Sequence, residues 1–271
     1  MPEPDNALDR LVSAVRGSAK YGSVSEAFVR RVGAAELSKR RSLKDAIKAT
    51  KNKLHQVGGV YLDAAQGYPR WLATLRQAAA QGDLALRDAC RAIMAHHAST
   101  RERLPILETF FAETLAGIAP VQSVLDVACG LNPLAIPWMP LAPGATYLAC
   151  DIYHDMIDFV GSFLALVGVP GRAFVCDVAH ELPAERVHLA LILKTIPCLE
   201  QVDKSAGLRL LDAVRADYML VSFPARSLGG RDKGMIAHYE AQLRDLLAER
   251  QWAVQRFEFE TELAFLVDKR G

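Results

Sequence analysis

Hydrophobic residues are spaced differently in the two parts of the chain. Over the first hundred residues they recur with helical periodicity, and no segment alternates with a period of two. This spacing predicts helices to about Val15 and over residues 25–32, 38–57 and 71–80. From residue 123 the pattern changes to short aliphatic and β-branched runs separated by helical stretches, which predicts strands that alternate with helices.

Five apolar runs predict the strands of a parallel sheet: residues 123–130, 145–152, 172–178, 187–196 and 218–225. Helical patterns over residues 154–167, 205–216 and 235–250 should cover both faces of this sheet. Two more strand-like runs, 252–260 and 263–270, are joined by only two residues, which requires a hairpin. A parallel sheet that ends in an antiparallel hairpin is typical of class I S-adenosylmethionine (SAM) methyltransferases. We therefore predict an α/β fold with this Rossmann-like sheet and a helical N-terminal domain.

The composition is that of a soluble globular protein. The 271 residues are 51% hydrophobic and 23% charged. The N-terminus resembles no signal peptide, and no apolar stretch approaches the roughly 18 residues that span a bilayer. We therefore expect a cytoplasmic protein that does not bind membranes. The five cysteines lack CxxC spacing, so we expect buried thiols and no metal site.

Charge is distributed unevenly along the chain. Residues 1–60 contain 12 lysines and arginines and 6 acidic residues, whereas the remaining 211 residues contain 20 and 25. This asymmetry favours a polyanionic partner for the N-terminal part, and a solvated charged face is the alternative.

The first predicted strand leads into a turn with room for a ligand. In the segment DVACGLNP, residues 126–133, the small Ala128 and Gly130 allow close approach of the backbone. The turn lacks GxGxxG, so SAM fits it better than a dinucleotide, whose pyrophosphate that motif cradles.

Acidic residues lie at the ends of three successive predicted strands. After Asp126, Asp151 could accept hydrogen bonds from both ribose hydroxyls, although Asp151 and Asp155 could instead cap the following helix. Asp177, or the backbone N–H next to it, could read the amino edge of adenine. Together the three carboxylates predict one SAM site.

Three longer strings carry a resemblance to a known family. They are HHASTRER at residues 96–103, the 126–133 turn, and SFPARSLGGRDKGM at residues 222–235, together with Leu193-Lys194-Thr195. In combination these resemble the aminoglycoside-resistance methyltransferases that modify N7 of guanine 1405 in the decoding site of 16S ribosomal RNA.

The resemblance implies a set of cofactor-binding residues. Arg103 should pair with the methionine carboxylate of SAM, since a guanidinium matches a carboxylate bidentately; a surface ion pair with Glu102 or Glu108 is the alternative. The implied site comprises His97, Ala98, Ser99, Arg103, Ala128, Gly130, Asp151, Asp177, Val178, Leu193 and Lys194.

The implied chemistry needs no catalytic base. Guanine N7 exposes a lone pair that can attack the methyl group directly, so positioning and electrostatics suffice. An NPPY-type signature, which accompanies methylation of exocyclic amines, is absent after the fourth predicted strand, where the chain reads Lys194-Thr195-Ile196-Pro197.

A basic helix predicts RNA binding. Lys44, Lys48 and Lys51 recur beside apolar Leu43, Ile47 and Leu54 at helical spacing. The predicted phosphate contacts are Arg30, Arg31, Lys39, Arg40, Arg41, Lys44, Lys48, Lys51 and Lys53. In the Gly-rich segment 226–235, Arg226, Arg231 and Lys233 could meet the phosphates of a flipped nucleotide, with a mobile surface loop as the alternative.

These expectations combine into one functional hypothesis. Residues 1–104 form a helical RNA-binding domain, and residues 105–271 form a SAM-dependent methyltransferase domain that acts, as a monomer, on 16S rRNA in the 30S subunit. One alternative is a methyltransferase for another RNA position or a small molecule. The other is a non-enzymatic RNA-binding or ribosome-assembly protein with a degenerate cleft.

Overall fold

The computed structural model describes residues 7–59, 67–225 and 234–270. Its first half is helical, as the spacing of apolar residues predicts. The helices before the sheet are α1 (Ala7–Arg16), α2 (Glu26–Leu37), α3 (Leu43–Leu54), α4 (Tyr68–Gln81), α5 (Asp83–Met94), α6 (Ala98–Arg103) and α7 (Leu107–Thr114).

Serine side chains set the limits of the second and third helices. The hydroxyl of Ser25 accepts from the backbone N–H of Phe28 at the start of α2, and Ser42 accepts from Asp45 at the start of α3. The predicted helix over residues 38–57 is therefore wrong at its beginning. Ser38 bonds back to the carbonyl of Ala35, so α2 extends to Leu37 and a short link precedes α3.

The second half alternates strands with helices. The strands are β1 (Val121–Val127), β2 (Leu141–Asp151), β3 (Gly171–Val175), β4 (Val187–Leu193), β5 (Ala216–Pro224), β6 (Ala253–Glu258) and β7 (Glu262–Asp268). The accompanying helices are α8 (His154–Leu166), α9 (Thr195–Leu199), α10 (Ala206–Ala213) and α11 (Met235–Leu247).

The seven strands form one mixed sheet in the order β3-β2-β1-β4-β5-β7-β6. The first five are parallel to their neighbours, and β7 pairs antiparallel with both β5 and β6. The predicted class I architecture with its antiparallel C-terminal hairpin is confirmed. Because β1 and β4 are adjacent although β2 and β3 intervene in sequence, the chain reverses direction across the sheet between them. A ligand crevice is expected at this switch point.

Helices cover both faces of the sheet. On one face, buried residues of β1, β4 and β5 belong to the same hydrophobic core as Leu11 of α1, Val29 of α2 and Leu75 of α4. On the other face, the sheet packs with Leu210 of α10 and Leu243 of α11. The N-terminal helices therefore share a core with the sheet, and the predicted division at residue 104 stays a prediction.

Backbone hydrogen bonds also join the N-terminal helices to the sheet. Val24 forms an antiparallel bridge with Tyr153, the N–H of Ser25 donates to the carbonyl of Ile152, and that of His154 donates to Ser23, both at 2.8 Å. These bonds place the beginning of α2 directly beside the end of β2.

Candidate cofactor site

A cavity lies at the carboxyl ends of β1, β2 and β4, where the topology predicts a ligand. Its volume is about 880 Å³, including open solvent at its mouth, which is in the range of small-molecule sites. Nine of the eleven predicted cofactor residues line it: His97, Ser99, Arg103, Ala128, Asp151, Asp177, Val178, Leu193 and Lys194.

The two remaining predicted residues lie next to the cavity wall. Ala98 is buried in the first turn of α6, between His97 and Ser99. Gly130 has a φ of 52°, and a Cβ there would lie 2.8 Å from Nε2 of His97. Its backbone N–H donates to Oδ2 of Asp151 at 3.0 Å. Gly130 thus makes room for the histidine and orients the carboxylate.

Asp151, the last residue of β2, faces the cavity and is 8% exposed. Its carboxylate accepts from the backbone N–H groups of Gly130 and Ile152. Burial raises its pKa to about 6, although these backbone donors oppose the shift. The alternative of a helix cap is wrong, because Tyr153 is the residue before α8.

Asp126 is a buried carboxylate beside this site. It accepts from the amide of Asn132 at 2.9 Å and from the hydroxyl of Tyr147 at 2.7 Å. Burial raises its pKa to about 7. Since Asn132 in turn accepts from Arg103, Asp126 fixes the orientation of the amide that contacts the guanidinium.

Arg103 is completely buried, and its guanidinium is held from two sides. Nε and Nη2 donate to the two carboxylate oxygens of Glu262 at 3.0 and 2.6 Å, and Nη1 donates to Asn132 at 2.8 Å. The alternative of a surface ion pair with Glu102 or Glu108 is wrong, because Glu102 binds Lys194 and Glu108 binds Arg91.

Lys194 follows β4 with a left-handed backbone, at a φ of 57°. Its Nζ donates to the carbonyl of Ser99 at 2.9 Å and to Glu102 at 2.8 Å. It also lies 3.4 Å from Glu262. Lys194 therefore links α6 to the end of β4.

The sequence did not indicate Glu262, which occupies the first position of β7. It is fully buried and also accepts from the hydroxyl of Ser222 at 2.5 Å. Burial would raise its pKa, but the charges of Arg103 and Lys194 and the hydrogen bonds outweigh burial and lower it. No local pattern distinguishes this glutamate from a polar residue of a hairpin turn, and only the strand pairing brings it to Arg103.

Asp177 and Val178 follow β3, which ends at Val175, two residues earlier than Asp177. The carboxylate of Asp177 accepts two hydrogen bonds from Arg31 of α2. Arg31, predicted as an RNA contact, thus lies at the cofactor cavity.

Apolar side chains form another part of the cavity wall. Ile152, Tyr153 and Met156 come from the end of β2 and the start of α8, and Phe28 comes from α2. Phe28 is 2% exposed, and the N-terminal helices therefore contribute directly to the site. Sequence reasoning missed these residues because their apolar character equally fits the core.

The basic residues of α2 and α3 differ in their surroundings. Arg30 pairs with Asp9 and Glu26, Arg40 with Glu36, and Lys53 donates to the carbonyl of Gln201. Lys39, Arg41, Lys44 and Lys48 are exposed and Lys51 is half-buried. The buried face of α3 comprises Ala46, Thr50 and Leu54, with Leu43 and Ile47 packed beside it. The predicted contacts Arg226, Arg231 and Lys233 lie outside the described residues.

The described ranges contain neither a membrane-spanning helix nor a cluster of metal ligands. None of the helices there has the length and apolar character needed to cross a membrane. In residues 7–59, 67–225 and 234–270, no three His, Cys, Asp or Glu residues are grouped as a metal site would require.

The arrangement fits a donor of the SAM type. Asp151 offers carboxylate oxygens for ribose hydroxyls, and the apolar wall beside it suits a purine. An arginine has five N–H donors, and three of those of Arg103 are used by described residues. One N–H on each of Nη1 and Nη2 remains for an anionic group at the other end of the cavity.

Known proteins resemble this chain over nearly its whole length. The chain matches the profile of the ribosomal RNA methyltransferase (FmrO) family over residues 17–266. It is 38% identical to the 16S rRNA (guanine(1405)-N(7))-methyltransferase of Micromonospora echinospora, with 98% of each chain covered. It is 40% identical to that of Frankia casuarinae, covering 97% of this chain and 94% of the relative.

Solved structures agree with the sequence relatives. The 16S rRNA methyltransferase RmtF in complex with S-adenosyl-L-homocysteine superposes with a TM-score of 0.85 at 32% identity, covering 98% of this chain and 99% of that one. The 16S rRNA methylase RmtB gives 0.79 at 27% identity, covering 98% and 100%. From the profile match, the full-length relatives and the shared architecture, the chain belongs to the FmrO family of ribosomal RNA methyltransferases.

Proposed function

We propose that this protein transfers a methyl group from SAM to N7 of guanine 1405 in the decoding site of 16S rRNA. The substrate is the 30S subunit, and the protein acts on it as a monomer. The observation that carries the proposal is one cavity with Asp151 and Arg103 both on its wall, in a chain that resembles named guanine-1405 N7 methyltransferases over its whole length.

The polar residues of the cavity orient the donor. Asp151 accepts hydrogen bonds from the ribose, and Asp177 with Val178 borders the adenine. Arg103 binds the amino-acid carboxylate through its remaining N–H groups, while Glu262 and Asn132 prevent its rotation. The other predicted residues, His97, Ala98, Ser99, Ala128, Gly130, Leu193 and Lys194, shape the wall between these ends.

The bound donor supplies an electrophilic methyl group on a sulfonium. The attacking lone pair of guanine N7 carries no proton, so the chain need not provide a general base. Its contribution is to hold the donor in one orientation and to exclude water from the apolar side of the cavity. Catalysis then rests on proximity and on the fixed dipoles of the site.

RNA binds to cations of α3 and of the link that precedes it. Lys39, Arg41, Lys44, Lys48 and Lys51 carry no ion pair among the described residues, so they can meet phosphates without breaking an internal contact. Such contacts dock the RNA but do not select the base.

The methylated guanine explains drug resistance. N7 methylation adds a methyl group and a positive charge where a polycationic aminoglycoside docks, and both disfavour binding of the drug. The decisive experiment incubates the protein with radiolabelled SAM and intact 30S subunits and maps the label. We expect one labelled guanine in the decoding-site helix. Label at another position, or none, would refute the proposed substrate.

A further inference from the structure

Helix α2 has one side on the cofactor cavity and another towards α1. Phe28 lines the cavity, and the guanidinium carbon of Arg31 lies 5.1 Å from the centre of its ring. The neighbouring Arg30 instead pairs with Asp9 and Glu26, and its side chain is 42% exposed. Adjacent arginines of α2 therefore have different partners.

Arg31 forms a two-pronged ion pair with Asp177. Nε donates to Oδ2 at 2.6 Å and Nη2 donates to Oδ1 at 3.0 Å. The two side chains are only 22% and 12% exposed, so water screens the pair less than a surface salt bridge. Oδ1 of Asp177 also accepts from the backbone N–H of Ala179 at 3.3 Å, which ties the carboxylate to its own loop.

A second connection holds the beginning of the same helix. The N–H of Ser25 bonds to the carbonyl of Ile152, and the N–H of His154 bonds to the carbonyl of Ser23. Both bonds lie within three residues of Asp151. Helix α2 is thus attached at its beginning to the end of β2, next to Asp151. Through Arg31 it is also attached to the loop after β3, and Phe28 lies between these two attachments.

From these contacts we propose that Arg31 is a positioning residue for the donor site and not an RNA contact. Its ion pair with Asp177 holds α2 against the cavity. Phe28 of α2 then stays in position as part of the cavity wall. The charge of Arg31 is already paired with Asp177 and its side chain is only 22% exposed, so a phosphate would have to compete with this carboxylate for it. The inference rests on the proposed donor and is independent of which RNA is methylated.

The test is calorimetric titration with S-adenosylhomocysteine in the absence of RNA. We expect Arg31→Ala to weaken binding about five- to tenfold, as for a moderate coupling between sites. Arg31→Lys keeps the charge but cannot form the bidentate pair, so its affinity for S-adenosylhomocysteine should lie between those of Arg31→Ala and the native protein. Arg16→Ala is the matched control, because it removes an ion pair between α1 and Glu26 of α2 that does not touch the cavity.

A double-mutant cycle separates positioning from general loss of stability. Asp177→Asn and Arg31→Ala remove the same contact, so their combination should weaken binding less than the product of the two single effects. In methylation assays Arg31→Ala should raise KM for SAM with a smaller change in kcat. Thermal unfolding of each variant shows that it is folded at the assay temperature.

The outcomes are distinguishable. Unchanged affinity for S-adenosylhomocysteine in folded Arg31→Ala, with weaker binding to 30S subunits, would overturn the proposal and make Arg31 a phosphate contact. An equal loss in Arg16→Ala would also overturn it. A native protein that binds S-adenosylhomocysteine but does not label 30S subunits would refute the proposed function and leave this inference standing.

Discussion

A single buried carboxylate connects the two cations of the cofactor site. Glu262 contacts Arg103, Lys194 and Ser222, which come from α6, the end of β4 and β5. Glu262, Arg103 and Lys194 are all buried, so the attraction between their opposite charges must compensate for the loss of solvation of each group. The orientation of the Arg103 guanidinium in the cavity wall therefore depends on a residue that does not itself line the cavity.

Replacing this carboxylate should destabilise the protein strongly. Glu262→Gln keeps the shape but leaves two buried cations with less compensation, and we expect a loss of about 3–5 kcal/mol in the free energy of unfolding. Glu258→Gln, which breaks an exposed pair with Arg256, should cost at most about 1 kcal/mol. Denaturant unfolding measures both, and equal small losses would contradict the role of Glu262.

The pKa of Asp151 predicts how donor binding depends on pH. In the proposed function, ribose hydroxyls bond to the ionised carboxylate of Asp151, and burial raises its pKa to about 6. Below this value protonation competes with binding, so the affinity for S-adenosylhomocysteine should fall by up to about tenfold per pH unit between pH 6 and 5.

Of four titratable groups around Asp151, three stay neutral and one titrates at a higher pH. Burial holds the pKa values of Tyr68, Tyr153 and Cys129 above their ordinary range, so these stay neutral. Asp126, with a pKa of about 7, is the other titrating carboxylate and is bonded to Asn132 and Tyr147. The affinity of Asp151→Asn should be lower than that of the native protein at pH 7.5 and should change little between pH 6 and 5. An equally steep fall in that variant would assign the titration to another group.

At the scale of elements, α2 and α3 differ in what their side chains contact. In α2, Phe28 lines the cofactor cavity and Arg31 binds the cavity residue Asp177, whereas α3 keeps Lys44 and Lys48 exposed and buries Ala46, Thr50 and Leu54. Helical periodicity permits this division, since side chains three or four residues apart share a face.

The lysines of α3 should affect RNA binding alone. Lys44→Gln, Lys48→Gln and Lys51→Gln together should weaken binding to 30S subunits and reduce the slope of log affinity against log salt by about two to three. Affinity for S-adenosylhomocysteine should stay unchanged. The control variant replaces three exposed arginines in the half of the chain that contains the sheet, Arg172, Arg186 and Arg209. An unchanged salt slope in the lysine variant would exclude α3 as the docking surface.

At the scale of the whole molecule, the helical part and the sheet share one hydrophobic core. Leu11 and Val29 belong to the same cluster as Leu189 and Leu220 of the sheet. Such a shared interior favours joint unfolding of the two parts.

Calorimetric melting tests this cooperativity. We expect one transition for the native protein, shifted upward by S-adenosylhomocysteine, with about 2.7 kcal/mol of added stability at a hundredfold excess over Kd. Two separate transitions, with only the later one sensitive to the ligand, would instead favour independent domains divided near residue 104.

The succession of strands along the chain and the carboxylate at Asp151 could be inferred from the sequence by itself. Both depend on local signals: apolar runs of strand length, a two-residue joint within the hairpin, and an acidic residue at the end of a buried strand. Such patterns extend over a few residues, so they can be recognised without knowledge of the fold. The string 96–103 identified Arg103 through its resemblance to a family.

Tertiary structure alone decided which charges meet. Arg31 and Asp177 are 146 residues apart, and Arg103 and Glu262 are 159 apart. In sequence, Arg31 is one of nine cations in a basic stretch and Glu262 is a polar residue in a hairpin. An ion pair depends on distance and on exclusion of water, and both are properties of the folded chain. That is why the sequence did not indicate the pairing of Arg31 with Asp177 and overlooked Glu262.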